Sequence, residues 1–232
     1  MKIYILSCDK LIDQTMEMIE YSFGNCWSSA NVTVLGYKEP TYKSDFVSFE
    51  SLGEDKGPNV VCSQLYDYFS NKNDELFVLG VDDQPLVGQV NIELLRIVQN
   101  FMRSNKNVGR CGLTFDNLTR QNEKIVDVNE NVYIFENIEG VPAKLSAVYS
   151  LWNRDYFIKY MSNSTDLWDW EINCSKKSID DGWKIMGTSP SVLDFVHLYK
   201  RGNLKPDWYM SPHSGKMLTK QEQQTIRSIY GF

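Results

Sequence analysis

Cysteine is sparse and poorly placed for cross-linking. Cys8, Cys26, Cys62, Cys111 and Cys174 are scattered over 232 residues, odd in number and without a C-x-x-C pair. Neither a zinc site nor a disulfide framework is indicated, and reduced thiols are expected. No apolar run reaches membrane length, and the N-terminus has no basic stretch ahead of a long apolar core. A cytoplasmic protein with no transmembrane segment is therefore expected. The N-x-S/T triplets at Asn31, Asn117, Asn163 and Asn173 are then chance matches. Positive charge is short: 24 Lys and Arg face 30 Asp and Glu, giving a net charge of -6 and a pI near 5.0. That balance argues against a nucleic-acid partner gripped through its phosphates. No G-x-G-x-x-G follows the first apolar run, which disfavours a Rossmann-type dehydrogenase.

What is present describes an ordinary globular chain, 42% hydrophobic and 23% charged. The length suffices to bury a core, and no internal repeat, low-complexity segment or clear linker divides it. One domain is the economical reading.

The stretch Glu75 to Pro85 organises the rest. Leu76 to Val81 is a short apolar run, read as a strand buried on both faces, and Asp82 and Asp83 stand at its carboxyl end. In an open α/β sheet, ligands bind in the crevice beyond such ends. Two adjacent carboxylates call for a cationic complement: a metal, an Arg or Lys, or a metal-bound diphosphate. The alternative is a solvated acidic turn.

Around this strand the pattern alternates. Ile3 to Leu6, Val32 to Leu35 and Phe46 to Phe49 read as strands. Helices are expected over Leu11 to Phe23, from Val61 to Phe69 with Asn59 as cap, and from Ile92 to Met102. This is a mostly parallel sheet covered on both faces. In the second half, strands are expected at Val108 to Phe115, Asn131 to Phe135, Leu145 to Tyr149, Trp183 to Met186 and Val192 to Tyr199. The polar stretch between the first two reads as a loop. Tyr156 to Met161 reads as a helix, Asp166 as the cap of one opening at Trp168, and Thr219 to Ile229 as a surface helix.

The order of these pieces resembles glycosyltransferase-like proteins of the GT-A fold, of bacterial and viral type. The resemblance rests on Leu6-Ser7-Cys8-Asp9-Lys10 before an amphipathic helix, the Gly57-Pro58-Asn59 loop, and Phe77 to Asp83 as the acidic-motif strand. Ser150-Leu151-Trp152-Asn153-Arg154-Asp155-Tyr156 and Trp168-Asp169-Trp170-Glu171 complete it. It implies a mixed central sheet with helices on both faces, residues 1–105 forming a nucleotide-binding half and 106–232 an acceptor-side half. It implies a nucleotide-diphosphate sugar as donor and a saccharide or other hydroxyl as acceptor. Ser7, Cys8, Asp9 and Lys10 would hold base and ribose, with Asn59 and Trp152 also on the donor side. Asp82 and Asp83 would meet the ribose and the metal-bound diphosphate.

The implied cofactor is Mn²⁺ or Mg²⁺, held by Asp83 and by His213 in a late loop. Gln84 stands where the usual Asp-x-Asp motif has its second Asp, which puts metal dependence in question. Glu171 is the candidate general base and Asp169 the alternative, because the flanking indoles of Trp168 and Trp170 would raise a carboxylate pKa. The competing reading makes these acids a helix first turn and the Trp side chains core. His197 reads as structural, and Lys200 and Arg201 as phosphate partners or a solvated strand end. A nucleotide-sugar-binding protein without turnover, or an interaction module on the same scaffold, is the alternative function.

Overall fold

The computed structural model describes residues 1–114, 123–129, 132–137, 145–178, 181–200, 203–212 and 214–232, with backbone only for 123–129, 132–137 and residue 200. Its centre is a nine-stranded mixed sheet in the order β3-β2-β1-β4-β8-β5-β9-β7-β6. The strands are β1 (Lys2–Leu6), β2 (Asn31–Gly36), β3 (Val47–Ser51), β4 (Leu76–Val81) and β5 (Val108–Gly112), then β6 (Glu123–Asn129), β7 (Val132–Asn137), β8 (Ser150–Asn153) and β9 (Lys184–Ser189). β3, β2, β1 and β4 run parallel. β8 lies antiparallel between β4 and β5. As expected, β1 and β4 are neighbours, with Leu6 opposite Val81.

Alternation along β1 builds a core on each face, since successive strand residues point to opposite sides. Ile3 and Ile5 pack with Met16, Ile19 and Phe23 of α1 (Ile12–Cys26) and with Leu94, Leu95 and Val98 of α3 (Ile92–Ser104). Tyr4 and Leu6 pack with Leu65 and Phe69 of α2 (Val61–Ser70) and with Tyr156 and Phe157 of α4 (Arg154–Met161). Helices therefore cover both faces. A third, smaller core joins Val87, Val196, Leu198 and Trp208 to Ile226 of a C-terminal helix, Lys220–Tyr230. That helix begins in a capping box between Thr219 and Glu222 and ends at Gly231, whose φ is 73°.

Several expected elements are corrected. Leu145 to Tyr149 is not a strand. The N–H groups of Leu145, Ala147 and Val148 donate to Ser175 Oγ, Glu171 Oε1 and Ser146 Oγ, so no ladder forms before Ser150. Val192 to Tyr199 is extended but pairs through one bridge, Phe195 with Leu86, because the facing segment contains Pro85 and lacks that N–H. Only Tyr199–Lys200 (β10) pairs further, with Asn203–Leu204 (β11). The polar stretch after residue 115 contains β6, where Lys124-Ile125-Val126-Asp127-Val128 carries β-branched residues that favour a ladder. Asn59 does not cap α2. A 3₁₀ turn, Pro58–Val60, leads into it, and no side chain bonds its first amides.

The segment at Trp168 is a short helix α5 (Leu167–Asp169), a π-helical turn Trp170–Cys174, and α6 (Ser175–Lys177). Asp166 caps it as expected, accepting from Asp169 N. Trp170 is fully buried. All five cysteines are free thiols. Among the described residues no helix is long and apolar enough to cross a membrane.

Candidate functional site

Three strand ends meet at one crevice. Beyond the last rungs, Ser7 N donates to Leu35 O at 2.9 Å and Asp82 N to Leu6 O at 3.0 Å, so the loops leaving β1 and β4 stay in register. Asp82 therefore faces the first loop. Its Oδ2 accepts from Ser7 Oγ at 2.9 Å and from Cys8 N at 3.1 Å. Burial pushes the Asp82 carboxyl above its ordinary range, opposed by these two donors. Asp83 next to it is pushed up to about 6, by burial first and then by the charge of Asp82, with Lys205 pulling the other way.

Two cavities open on either side of the Ser7 to Lys10 loop, with Cys8 and Asp82 lining both. The larger, about 380 Å³, is walled by apolar Leu6, Leu35, Leu52 and Val81, with Tyr37, Asp55 and Leu167 at its edges. The smaller, about 290 Å³, is lined by Cys8, Lys10, Leu11, Thr15, Asp82, Asp83, Tyr199 and Tyr230. Of these, Thr15, Tyr37, Asp55, Leu167, Tyr199 and Tyr230 were not singled out from sequence.

The structure thus brings Ser7, Cys8, Lys10, Asp82 and Asp83 together. Asp9 stands apart from both cavities. Its Oδ1 accepts from Tyr37 N and Lys38 N, each at 2.9 Å, clamping the loop after β2 to the loop after β1. Asp13 extends the clamp, accepting from Tyr42 N at 2.8 Å and Thr41 Oγ1 at 2.9 Å. Asn59 is exposed and lines neither cavity. Trp152 corrects its expected place on the donor side. It is fully buried, 6.2 Å from the Tyr156 ring and 5.4 Å from Trp170 between centroids. His213 and Arg201 lie outside the described residues, as does the Lys200 side chain. His197 packs edge-on against Phe195 at 4.8 Å, consistent with a structural place.

Gln84 does not face the crevice either. Its side chain is 2% exposed, with Oε1 buried and unpartnered, while its backbone oxygen accepts from Tyr149 OH at 2.9 Å. The third position of the acidic stretch is therefore core. Among the described residues no group of three His, Cys, Asp or Glu is arranged to hold a metal. The pair Asp82 and Asp83 nevertheless fits a cation that takes its other ligands from a diphosphate and water, as Mg²⁺ and Mn²⁺ commonly do. Burial disfavours the ionised form of both carboxylates, and the charge of Asp82 further disfavours that of Asp83, so the pair lacks a full counter-charge.

The candidate bases separate. Because β8 runs antiparallel to β4, the segment before Ser150 lies beyond the carboxyl end of β4, on the crevice side. Glu171 accepts from Ala147 N there, at 2.9 Å, and lies one helical turn after the crevice residue Leu167. It sits within the π turn, a distortion frequent at functional sites. Asp169 is committed elsewhere. Asn173 Nδ2 donates to it at 2.7 Å and Thr165 N at 3.0 Å, and these bonds hold its carboxyl below the ordinary range. The expected indole sandwich is not formed, since Trp170 is core and Trp168 is 73% exposed.

No protein-family model matches the chain, and no curated protein matches it in sequence. Solved structures do resemble it. The mannosyltransferase PcManGT from Pyrobaculum calidifontis, in complex with GDP-Man and Mn²⁺, is 11% identical with a TM-score of 0.51, over 87% of this chain and 58% of that one. A cytidylyltransferase from Leptospira borgpetersenii is 13% identical with a TM-score of 0.49, over 100% and 87%. A CMP:2-keto-3-deoxy-manno-octonic acid synthetase complexed with CTP is 11% identical with a TM-score of 0.47, over 100% and 99%. The likeness to PcManGT shows a shared fold, a mixed sheet with helices on both faces. The crevice at Asp82 lies where such an open sheet accepts a ligand.

Proposed function

We propose that the protein is a glycosyltransferase that takes a sugar from a nucleotide-diphosphate donor held over Asp82. One observation carries the reading: a half-buried carboxylate, fixed by Ser7 Oγ and Cys8 N at the ends of β1 and β4, lines both crevice cavities. The base lies in the larger, apolar cavity against Leu35, Leu52 and Tyr37. The ribose hydroxyls donate to Asp82, and the diphosphate passes Asp82 and Asp83 within reach of Lys10. A divalent cation held by Asp83 with Asp82 would offset the charge of the leaving diphosphate.

In the transfer, the acceptor hydroxyl oxygen bonds the anomeric carbon as the anomeric carbon–diphosphate oxygen bond breaks. The electron pair leaves with the nucleoside diphosphate, and the hydroxyl proton passes to Glu171. The two hydrogen bonds that spend Asp169 favour Glu171 over it.

Gln84 supports a second reading, a nucleotide-sugar-binding protein without turnover. A neutral, buried residue at the third acidic-motif position leaves one fewer carboxylate for the cation. A thermal-shift screen against nucleotides and sugar nucleotides, with and without Mn²⁺, tests the shared premise, since a ligand bound only by the folded state raises Tm. Release of free sugar or transfer to an acceptor then separates enzyme from binder. Stabilisation by none of them would refute both readings.

A further inference from the structure

Resting on the donor reading above, we infer that the smaller cavity takes the glycosyl ring of the donor, and that Tyr230 of the C-terminal helix is the residue that selects for it. The two cavities share Cys8 and Asp82 as a common wall. A ligand whose base fills the larger cavity and whose diphosphate crosses Asp82 must enter the smaller one with whatever the diphosphate carries. The lining of that cavity matches a saccharide. Asp83 offers acceptors for hydroxyl groups, Leu11 an apolar contact, and Tyr199 and Tyr230 ring surfaces for C–H faces. The two tyrosines meet edge to face, 6.0 Å between centroids at 70°, and Tyr230 also stacks on Phe232 at 6.2 Å.

Tyr230 belongs to the C-terminal helix and packs both against the third core, with Trp208 and Leu218, and against the core beneath α1. It lines the cavity together with Thr15 of α1, whose Oγ1 lies 3.3 Å from Ser7 Oγ.

The experiment measures affinities of the full chain for nucleoside mono- and diphosphates of uracil, cytosine, guanine and thymine, and for their glucose, galactose and mannose conjugates. In wild type the best conjugate should bind more tightly than its own nucleoside diphosphate. Tyr230→Ala should weaken that conjugate by about fivefold to tenfold, the effect of losing one aromatic contact. The nucleoside monophosphates should stay within about twofold, because their base and ribose lie on the other side of Cys8 and Asp82. Tyr230→Phe keeps the ring and should retain the preference. Tyr199→Ala, on a different element, should reproduce the selective loss, so the test stands if Tyr230→Ala fails to fold. Equal loss across all ligands, or no loss for the conjugate, overturns the inference while leaving the donor crevice intact. Absence of any nucleotide binding by wild type refutes the underlying reading itself.

Discussion

Replacing Asp83 by Asn should make the unliganded protein more stable at neutral pH. A carboxyl held at about 6 in place of its ordinary 3.8 is less easily ionised in the folded state than in the unfolded chain. At 1.36 kcal/mol per pH unit, that gap amounts to about 3 kcal/mol when both groups would be charged. Asp83 keeps part of its surface in water, and its partner charge Asp82 is itself pushed up, so about 1–2 kcal/mol is the gain to expect. The sign follows from proton binding. Between the two values the folded state holds the proton and the unfolded chain does not, so stability falls as pH rises from about 4 to about 6. Above that window the penalty is complete, and below it there is none.

Thermal unfolding of wild type and Asp83→Asn should therefore differ by about 3–6 °C at pH 7.5 and converge below about pH 4. A variant that is less stable than wild type at pH 7.5 would refute the view that this carboxylate serves a ligand at the expense of the fold. A gain that persists unchanged at low pH would show that charge is not its origin.

Four other variants have outcomes that follow from the geometry. Glu171→Gln keeps an oxygen for Ala147 N, so it should fold normally and retain donor affinity while transfer falls by about 10²–10⁴-fold. Unchanged turnover would remove Glu171 from the mechanism. Asp169→Asn should leave turnover in place and lower Tm slightly, since its bonds to Thr165 and Asn173 belong to the helix start; lost turnover would reassign the base. Gly80→Ala would set a Cβ 2.4 Å from the fully buried Tyr149 ring and should cost about 1–3 kcal/mol in denaturant unfolding. Gly24→Ala, with open space inside α1, should stabilise by about 0.5–1 kcal/mol, and a reversed sign for either variant would contradict the packing described.

The strands that position the crevice were legible because Ile3 to Leu6 and Leu76 to Val81 are buried on both faces, and such runs are continuous in apolar residues. Asp82 was legible for the same reason, standing where the run stops. Its partners were not: Ser7 lies 75 residues away, and only the parallel pairing of β1 with β4 brings the two together. Asp9 and Asp13, four apart at the start of a helix, look like dipole-stabilising acids, yet they tie down the loop after β2. The false strand at Leu145 to Tyr149 had a plausible composition, but its amides are taken by Ser175, Glu171 and Ser146, contacts no local pattern encodes. Tyr230 had a weak signal. Ile226 and Tyr230 are four apart on a helix otherwise rich in Lys, Gln and Glu, which marks the face that meets the rest of the protein.

The central claim is that the Asp82–Asp83 crevice binds a nucleoside diphosphate with a divalent cation. Calorimetric titration of wild type and Asp83→Ala, with the nucleoside diphosphate that most stabilises wild type and with Mn²⁺, addresses it directly. Wild type should bind one equivalent with affinity that rises on adding Mn²⁺. Asp83→Ala should remain folded and lose the Mn²⁺-dependent binding, because this strand-end carboxylate serves the ligand more than the core. Binding by Asp83→Ala as tight as that of wild type, with the same response to Mn²⁺, would contradict the claim and leave the two carboxylates as an acidic turn.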